Sequence, residues 1–173
     1  MMIRSERPSD VPAIADLNRR AFGGPAEAEL VDRLRAAGLV VASLVAVADD
    51  PGNPIVGHIL FSRLPIEIAQ TRLDAVALAP MAVAPERQRQ GIGSALVVEG
   101  LRVCRAAGET IVVVLGHEAF YPRFGFSASL ARRLSSPYGG DAFMALELQP
   151  GALDAVLERV GIVRYPPAFD LFE

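Results

Sequence analysis

Between residues 78 and 96 the chain reads Leu78-Ala79-Pro80-Met81-Ala82-Val83-Ala84-Pro85-Glu86-Arg87-Gln88-Arg89-Gln90-Gly91-Ile92-Gly93-Ser94-Ala95-Leu96. An apolar stretch runs into a polar loop, and two glycines stand where a helix begins. Glycine lets backbone approach a ligand closely, and the first turn of a helix leaves N–H groups unpaired at the positive end of its dipole. Such a place binds phosphate. The dipole contributes only about 0.3 to 1 kcal/mol per charge. Most of the affinity must therefore come from direct N–H bonds to several oxygens, with Arg87 or Arg89 nearby. A diphosphate suits the loop better than a monophosphate. The plain alternative is a surface turn ahead of a glycine-capped helix.

Two familiar diphosphate loops do not fit. A nucleoside-triphosphate loop requires Gly-Lys-Ser/Thr, whereas Gly93 is followed by Ser94 and Ala95. The dinucleotide pattern needs a third glycine where Leu96 stands and a strand running straight into the first, but Glu86 to Gln90 intervene. A nicotinamide or flavin oxidoreductase is thus a distant third reading.

The surrounding elements follow from periodicity. Ser9 and Asp10 can cap a helix with Val11, Ile14, Ala15, Leu17, Ala21 and Phe22 at three- and four-residue steps; residues 27–37 repeat the pattern up to Gly38. Residues 40–48 and 55–61, separated by Asp49-Asp50-Pro51-Gly52-Asn53-Pro54, predict an antiparallel hairpin. Residues 72–83 predict a strand made irregular by Pro80, which cannot donate to a ladder. Residues 91–107 form the clearest helix, with Ile92, Leu96, Val97, Leu101 and Cys104 on one face. A buried strand over 111–115, a short helix over 118–124, a strand over 142–148 and a terminal helix over 150–160 complete the order, a mixed α/β sheet covered by helices.

Composition narrows the function. The chain has 173 residues, enough for one core, and a net charge of −3 rather than the basic footprint of a nucleic-acid binder. One cysteine and two histidines are too few for a disulfide or a structural zinc cluster, and no metal is expected. The charged N-terminus (Arg4, Glu6, Arg7, Asp10) and the lack of a long apolar run predict no export signal and no membrane span, so a cytoplasmic protein is expected.

The run Gln88-Arg89-Gln90-Gly91-Ile92-Gly93 resembles the acetyl-CoA loop of the GNAT superfamily of N-acetyltransferases, Q/R-x-x-G-x-G/A. A second family landmark, an aromatic hydroxyl four residues before Gly-Phe, is met by Tyr121-Pro122-Arg123-Phe124-Gly125-Phe126. Together with Gly57-His58-Ile59-Leu60-Phe61-Ser62 and Gly116-His117, these phrases are similar to a YhbS-like branch of bacterial predicted acetyltransferases. The resemblance covers roughly residues 1–148, a GNAT-like core, with 149–173 as an extension packed on the same domain. It implies a mostly antiparallel twisted sheet with a splayed central strand flanked by helices. It also implies acetyl-CoA as cosubstrate: amides of Gln88, Arg89, Gln90, Gly91, Ile92, Gly93 and Ser94 around the pyrophosphate, Met81, Ala82 and Val83 beside the pantetheine arm, and His117 and Phe120 nearby. Family members often pair through late strands, so a homodimer through 142–173 is an expectation.

Acetyl transfer from a thioester to an amine needs a neutral nucleophile, a polarised carbonyl and a proton donor for the departing thiolate. Tyr121 suits the donor, since a phenol stays protonated at neutral pH; its alternative is a buried core aromatic. For the base, Glu29 on the second helix, mid-strand His58 and His117 are candidates, with a water relay beside them. Each has a bland counterpart: a solvated helix glutamate, a core histidine, a helix start. Cys104, on a buried stripe, reads as core. The expected activity is direct acetyl transfer to the primary amine of a small molecule or peptide. The alternative is a CoA-binding regulatory module without turnover.

Overall fold

The protein is described here by a computed structural model covering residues 1–172. Among them, eight strands form one mixed sheet: β1 (Met2–Ser5), β2 (Val40–Val47), β3 (Ile55–Ile68), β4 (Thr71–Val83), β5 (Ile111–Leu115), β6 (Leu134–Ser135), β7 (Phe143–Glu147) and β8 (Gly161–Val163). The main order is β1-β2-β3-β4-β5-β7; β8 pairs with the far end of β3 and with β6. Pairing is antiparallel except for β4–β5 and β6–β8. Four α-helices accompany it: α1 (Val11–Phe22), α2 (Ala26–Ala36), α3 (Ile92–Ala106) and α4 (Ala128–Ala131). The mostly antiparallel, helix-flanked sheet with its irregular central strand is the expected fold.

The sheet is sandwiched because its alternating strands are apolar on both sides. One face buries Leu60, Leu64 and Ile66 with Ile14, Leu30 and Leu34 of α1 and α2 and with Phe169. The other buries Ile59 and Phe61 with Ile92, Leu96, Val97 and Cys104, the stripe predicted for α3. Two glycines set how close α3 lies. A Cβ on Gly57 would meet Ile92 and Leu96 at 2.9 Å, and one on Gly100 would meet the Phe61 ring at 2.3 Å.

Several expectations are corrected. Asp10 does not cap α1 through its side chain; its carboxylate turns back to the Arg7 amide at 2.7 Å and to the Arg4 guanidinium at 2.6 and 3.1 Å. It closes the 3-10 turn Pro8–Asp10 that precedes the helix. β3 runs seven residues further than 55–61, because Leu64, Ile66 and Ile68 alternate with exposed Arg63 and Glu67 across Pro65. The short helix over 118–124 is a single 3-10 turn, Tyr121–Phe124, ended by Gly125 at φ +96°. The terminal helix over 150–160 shrinks to the 3-10 turn Asp154–Val156. Leu153 and Val156 still point inward there, and the chain goes on to pair with the unfilled edge of β3 as β8.

Replacing Gly100 by alanine should cost about 1 to 3 kcal/mol through overpacking against Phe61. Gly24→Ala, with nothing within 4 Å, should be close to neutral. Urea unfolding curves of the two variants check this; equal midpoints would contradict the close seating of Phe61 against Gly100.

Candidate active site

β4 pairs with β5 only at Val76, Ala77 and Leu78. The Ala79–Pro80 bond is cis, and the ladder between β3 and β4 shifts register there, between Ile59 and Phe61. Beyond it β4 follows β3 while β5 leads away to Gly116 and His117. The amide of Ala84 bonds the carbonyl of Val56 at 2.9 Å. By the alternation of an antiparallel ladder, Ala82 then spends its backbone on His58, its registered partner, while Met81 and Val83 turn theirs to the open side. Of the three residues named from sequence for the pantetheine arm, Met81 turns both backbone groups and Val83 its N–H to the open side, and Ala82 neither. Gln88 reaches back to the Val83 carbonyl with its amide side chain at 3.3 Å.

This opening is the mouth of a cleft of about 1160 Å³, more than the ~300 to 1,000 Å³ usual for one small ligand. At one end lies the glycine loop. Gly91 caps α3 at φ +84°, and Arg89 is also left-handed at φ +61°. The first helical bond is Ala95 to the Gly91 carbonyl at 3.0 Å. The N–H groups of Arg89, Gln90, Gly91, Ile92, Gly93 and Ser94 have no partner among the described residues. Alternating left- and right-handed residues aim successive N–H groups into one concavity, which suits an anion. The two arginines of the loop differ in their surroundings. Arg87 is ion-paired with Asp50, while Arg89 lines the cleft. Gln90, named from sequence for the loop, turns its side chain to the Glu86 carbonyl at 3.4 Å and is not among the residues that line the cleft.

At the splay stands Tyr121, 6% exposed. Its ring packs edge-on to Phe120 at 5.0 Å and Phe126 at 5.6 Å. It fits because residue 116 is glycine: a Cβ there would lie 2.2 Å from the tyrosine ring. Burial pushes the phenol up to about 12, so the proton stays on at neutral pH. His117 lines the cleft, exposed, and its carbonyl accepts the Phe120 and Tyr121 amides at 3.0 and 3.3 Å, which shapes the turn. Phe120 reaches the start of α3, 3.7 Å from where a Gly93 Cβ would sit. Sequence reasoning missed Arg123, whose guanidinium lies 4.7 Å from the Phe120 ring centre on the cleft wall.

Two base candidates fall outside the cleft. Glu29 is on the exposed side of α2 and accepts the Arg33 Nε–H at 3.0 Å. His58 is fully buried between Ser43 Oγ, 2.9 Å from Nε2, and Asn18 Nδ2, 3.3 Å from Nδ1. Ser43 also bonds the Glu6 carboxylate, which Arg35 holds through two N–H groups at 2.8 and 2.9 Å. Burial lowers His58 to about 4 against the opposing pull of Glu6. Burial raises Glu6, yet the Arg35 and Ser43 bonds outweigh it and leave the carboxyl below its usual value. His58 is therefore a neutral brace between α1 and the sheet. Cys104 is core, its thiol pushed up to about 12 by burial and by Glu109. Sequence reasoning also missed the opposite wall: Glu27, Tyr138, Tyr165, Phe169 and Phe172 line the cleft. Glu27 lies three and four residues before the buried Leu30 and Val31, a spacing that could have singled it out over Glu29. Among the described residues no cluster of His, Cys, Asp or Glu is arranged to hold a metal ion.

A family model described as an acetyltransferase (GNAT) domain matches residues 2–129. The chain is 38% identical to the uncharacterized N-acetyltransferase YhbS of Escherichia coli K12 over 99% of its own length and all of that protein. It is similar to the crystal structure of Escherichia coli YhbS in complex with CoA, with a TM-score of 0.85 and 36% identity, covering 99% of this chain and 93% of that one. It is likewise similar to a GNAT family acetyltransferase from Brucella melitensis in complex with acetyl-CoA: TM-score 0.77, 36% identity, coverage 98% and 97%.

The His58 environment sets an acid limit. The unfolded chain binds a proton at His58 near pH 6.5, whereas the native state refuses it until about 4. Stability should thus be complete above pH 6.5 and fall as pH drops toward 4, by up to about 1.4 kcal/mol per unit; Glu6 adds a loss of the same sign at the lower end. Unfolding free energies measured from pH 7 to 4.5 should show this slope in the wild type and a flatter one in His58→Gln. Equal slopes would refute the assignment.

Proposed function

The chain belongs to the GNAT acetyltransferase family, and from that premise we propose that it transfers an acetyl group from acetyl-CoA directly to a primary amine of a small molecule or peptide. The single observation that carries the proposal is the continuity of one cleft. Five residues with unpaired amides (Arg89, Gly91, Ile92, Gly93 and Ser94), the open backbone edge of Met81 and Val83, and Tyr121 all line it.

The residues fit the cosubstrate chemically. Gly91, Ile92, Gly93 and Ser94, with the amides of Arg89 and Gln90, would hold the pyrophosphate, and Arg89 adds a charge. Met81 and Val83 would accept the pantetheine amides as an added strand, with Phe120 and His117 along the opposite side. When bound, acetyl-CoA supplies an activated acyl group and a thiolate that must be protonated as it leaves. A free N–H of the 81–83 stretch polarises the acyl oxygen. Tyr121, protonated through the physiological range, keeps its proton at the splay for the departing sulfur. Neither Glu29 nor His58 can take the amine's proton from its position, and of the bases named from sequence His117 alone lines the cleft; the loss of the other two is the observation favouring a second reading, a CoA-binding module without turnover.

No helix among the described residues is long and apolar enough to cross a membrane. A cytoplasmic setting and pairing of two chains through 142–173 stay within the proposal; sedimentation tests the latter.

Tyr121→Phe should lower the acetylation rate by about 10² to 10⁴ while CoA affinity, read by calorimetry, is unchanged. A wild-type protein that releases no thiol with any amine would support the module instead. Gly91→Glu places a side chain in a left-handed residue and a negative charge at the unpaired amides; it should abolish CoA binding with the fold intact by circular dichroism. Undiminished binding would displace the pyrophosphate site.

A further inference from the structure

The cleft has a second wall that the cosubstrate contacts above leave unused. It is built from α2 and from the C-terminal segment. β8 is tied to β3 at Ile66–Val163 and by the Arg164 amide to the Pro65 carbonyl at 3.0 Å. This anchoring turns the 3-10 helix Pro167–Phe172 back over α2, where Phe169 and Ala168 pack in one core with Leu30, Val31 and Leu34. Tyr138, Tyr165 and Phe169 stack edge-on in a row, each ring centre 5.0 Å from the next. At the rim, Phe22 is 45% and Phe172 39% exposed. Large aromatic side chains left open in a cleft favour a flat or apolar guest and attract a cation.

The charge on this wall is as specific. Glu27 is the one carboxylate lining the cleft among the described residues, against Arg89 and Arg123 toward the loop side. On α2, Glu29 is spent on Arg33 and Asp32 on Arg35, whereas Glu27 has no ion pair or side-chain hydrogen bond among the described residues. It shares the inward face of the helix with Leu30, Val31 and Leu34.

Resting on the acetyltransferase reading, we infer that this wall is the acceptor site and that its occupant is a monocationic amine carried on an aromatic or bulky apolar body. Glu27 receives the ammonium, and the aromatic row with Phe22 and Phe172 takes the body. The bound ammonium first gives one proton to Glu27 or to water beside it, leaving the neutral amine that attacks; the second proton lost by the nitrogen, as the amide forms, replaces the one that Tyr121 gives up. The C–N bond forms as the C–S bond breaks, and the sulfur leaves with the Tyr121 proton. A single carboxylate disfavours polyamines and the arginines flank only the loop end, so anionic sugars and nucleotides gain nothing on this wall.

The test compares phenethylamine, putrescine and glucosamine by thiol release, with calorimetry of phenethylamine on CoA-saturated protein. Phenethylamine should be preferred, and Glu27→Gln should raise its KM by roughly 10- to 100-fold with CoA affinity unchanged. Phe172→Ala should weaken phenethylamine and leave ethanolamine unaffected. Benzyltrimethylammonium, which has no N–H to acylate, should compete with the amine and not with acetyl-CoA. Preference for putrescine or glucosamine, or a Glu27→Gln enzyme with unchanged amine KM, overturns the assignment. If none of the amines releases thiol, phenethylamine binding that depends on Glu27 keeps the site and sinks the transferase reading; no binding sinks the site.

Discussion

An extended strand that parts from its neighbour leaves main-chain donors and acceptors that something must satisfy, and the separation of β4 from β5 after Leu78 is the constraint the molecule is arranged around. Pro80 has no donor to lose at the point of separation. Past it, β3 saturates Ala82 and leaves the Met81 backbone and the Val83 N–H on the open side. The defect is held open on both sides by packed core: Val76, Leu78 and Ala82 on one strand, Val112 and Val114 on the other. An opening so braced costs little further entropy when an amide-bearing chain fills it, which is how preorganisation raises affinity.

The glycine loop is useful only because α3 delivers it to that opening. The delivery is a packing event: Ile92, Leu96 and Val97 are buried against the sheet, and the absent side chains of Gly57 and Gly100 let the helix seat deeply. Two ion pairs, Arg20 with Glu86 and Arg87 with Asp50, brace the loop toward α1 and toward the β2–β3 turn. Exposed pairs of this kind are worth little each, so they trim the loop's freedom and the apolar seat determines its place. Gly116 plays the matching part for Tyr121. Three glycines thus convert sheet packing into the relative position of an anion cradle and a phenol.

Much of this was legible in the residues. The α3 stripe, the β2–β3 hairpin, β5 to the residue and the irregularity at Pro80 all follow from local periodicity or from proline's missing donor, which act over a few residues. The loop and Tyr121 carry their own patterns. What escaped depends on partners far along the chain. β8 and the 3-10 turn at 154–156 answer to the edge of β3. Asp10 answers to Arg4 and not to its own helix. The role of His58 is decided by Ser43, Asn18 and Glu6 on other elements, none of which its strand pattern announces. Glu27 and Glu29 differ by half a helical turn, a distinction that becomes visible only once Leu30 and Val31 show which way α2 faces.

The path of the chain also orders its own assembly. The strands of the splay, the glycine loop and Tyr121 all precede residue 127, while the aromatic row and the strand that anchors it lie beyond residue 137. During synthesis, domains form from the N-terminal side as the nascent polypeptide leaves the ribosome. The wall that carries the glycine loop and Tyr121 is therefore translated first, together with α2, and the aromatic row closes over them only when residues 138–172 have emerged.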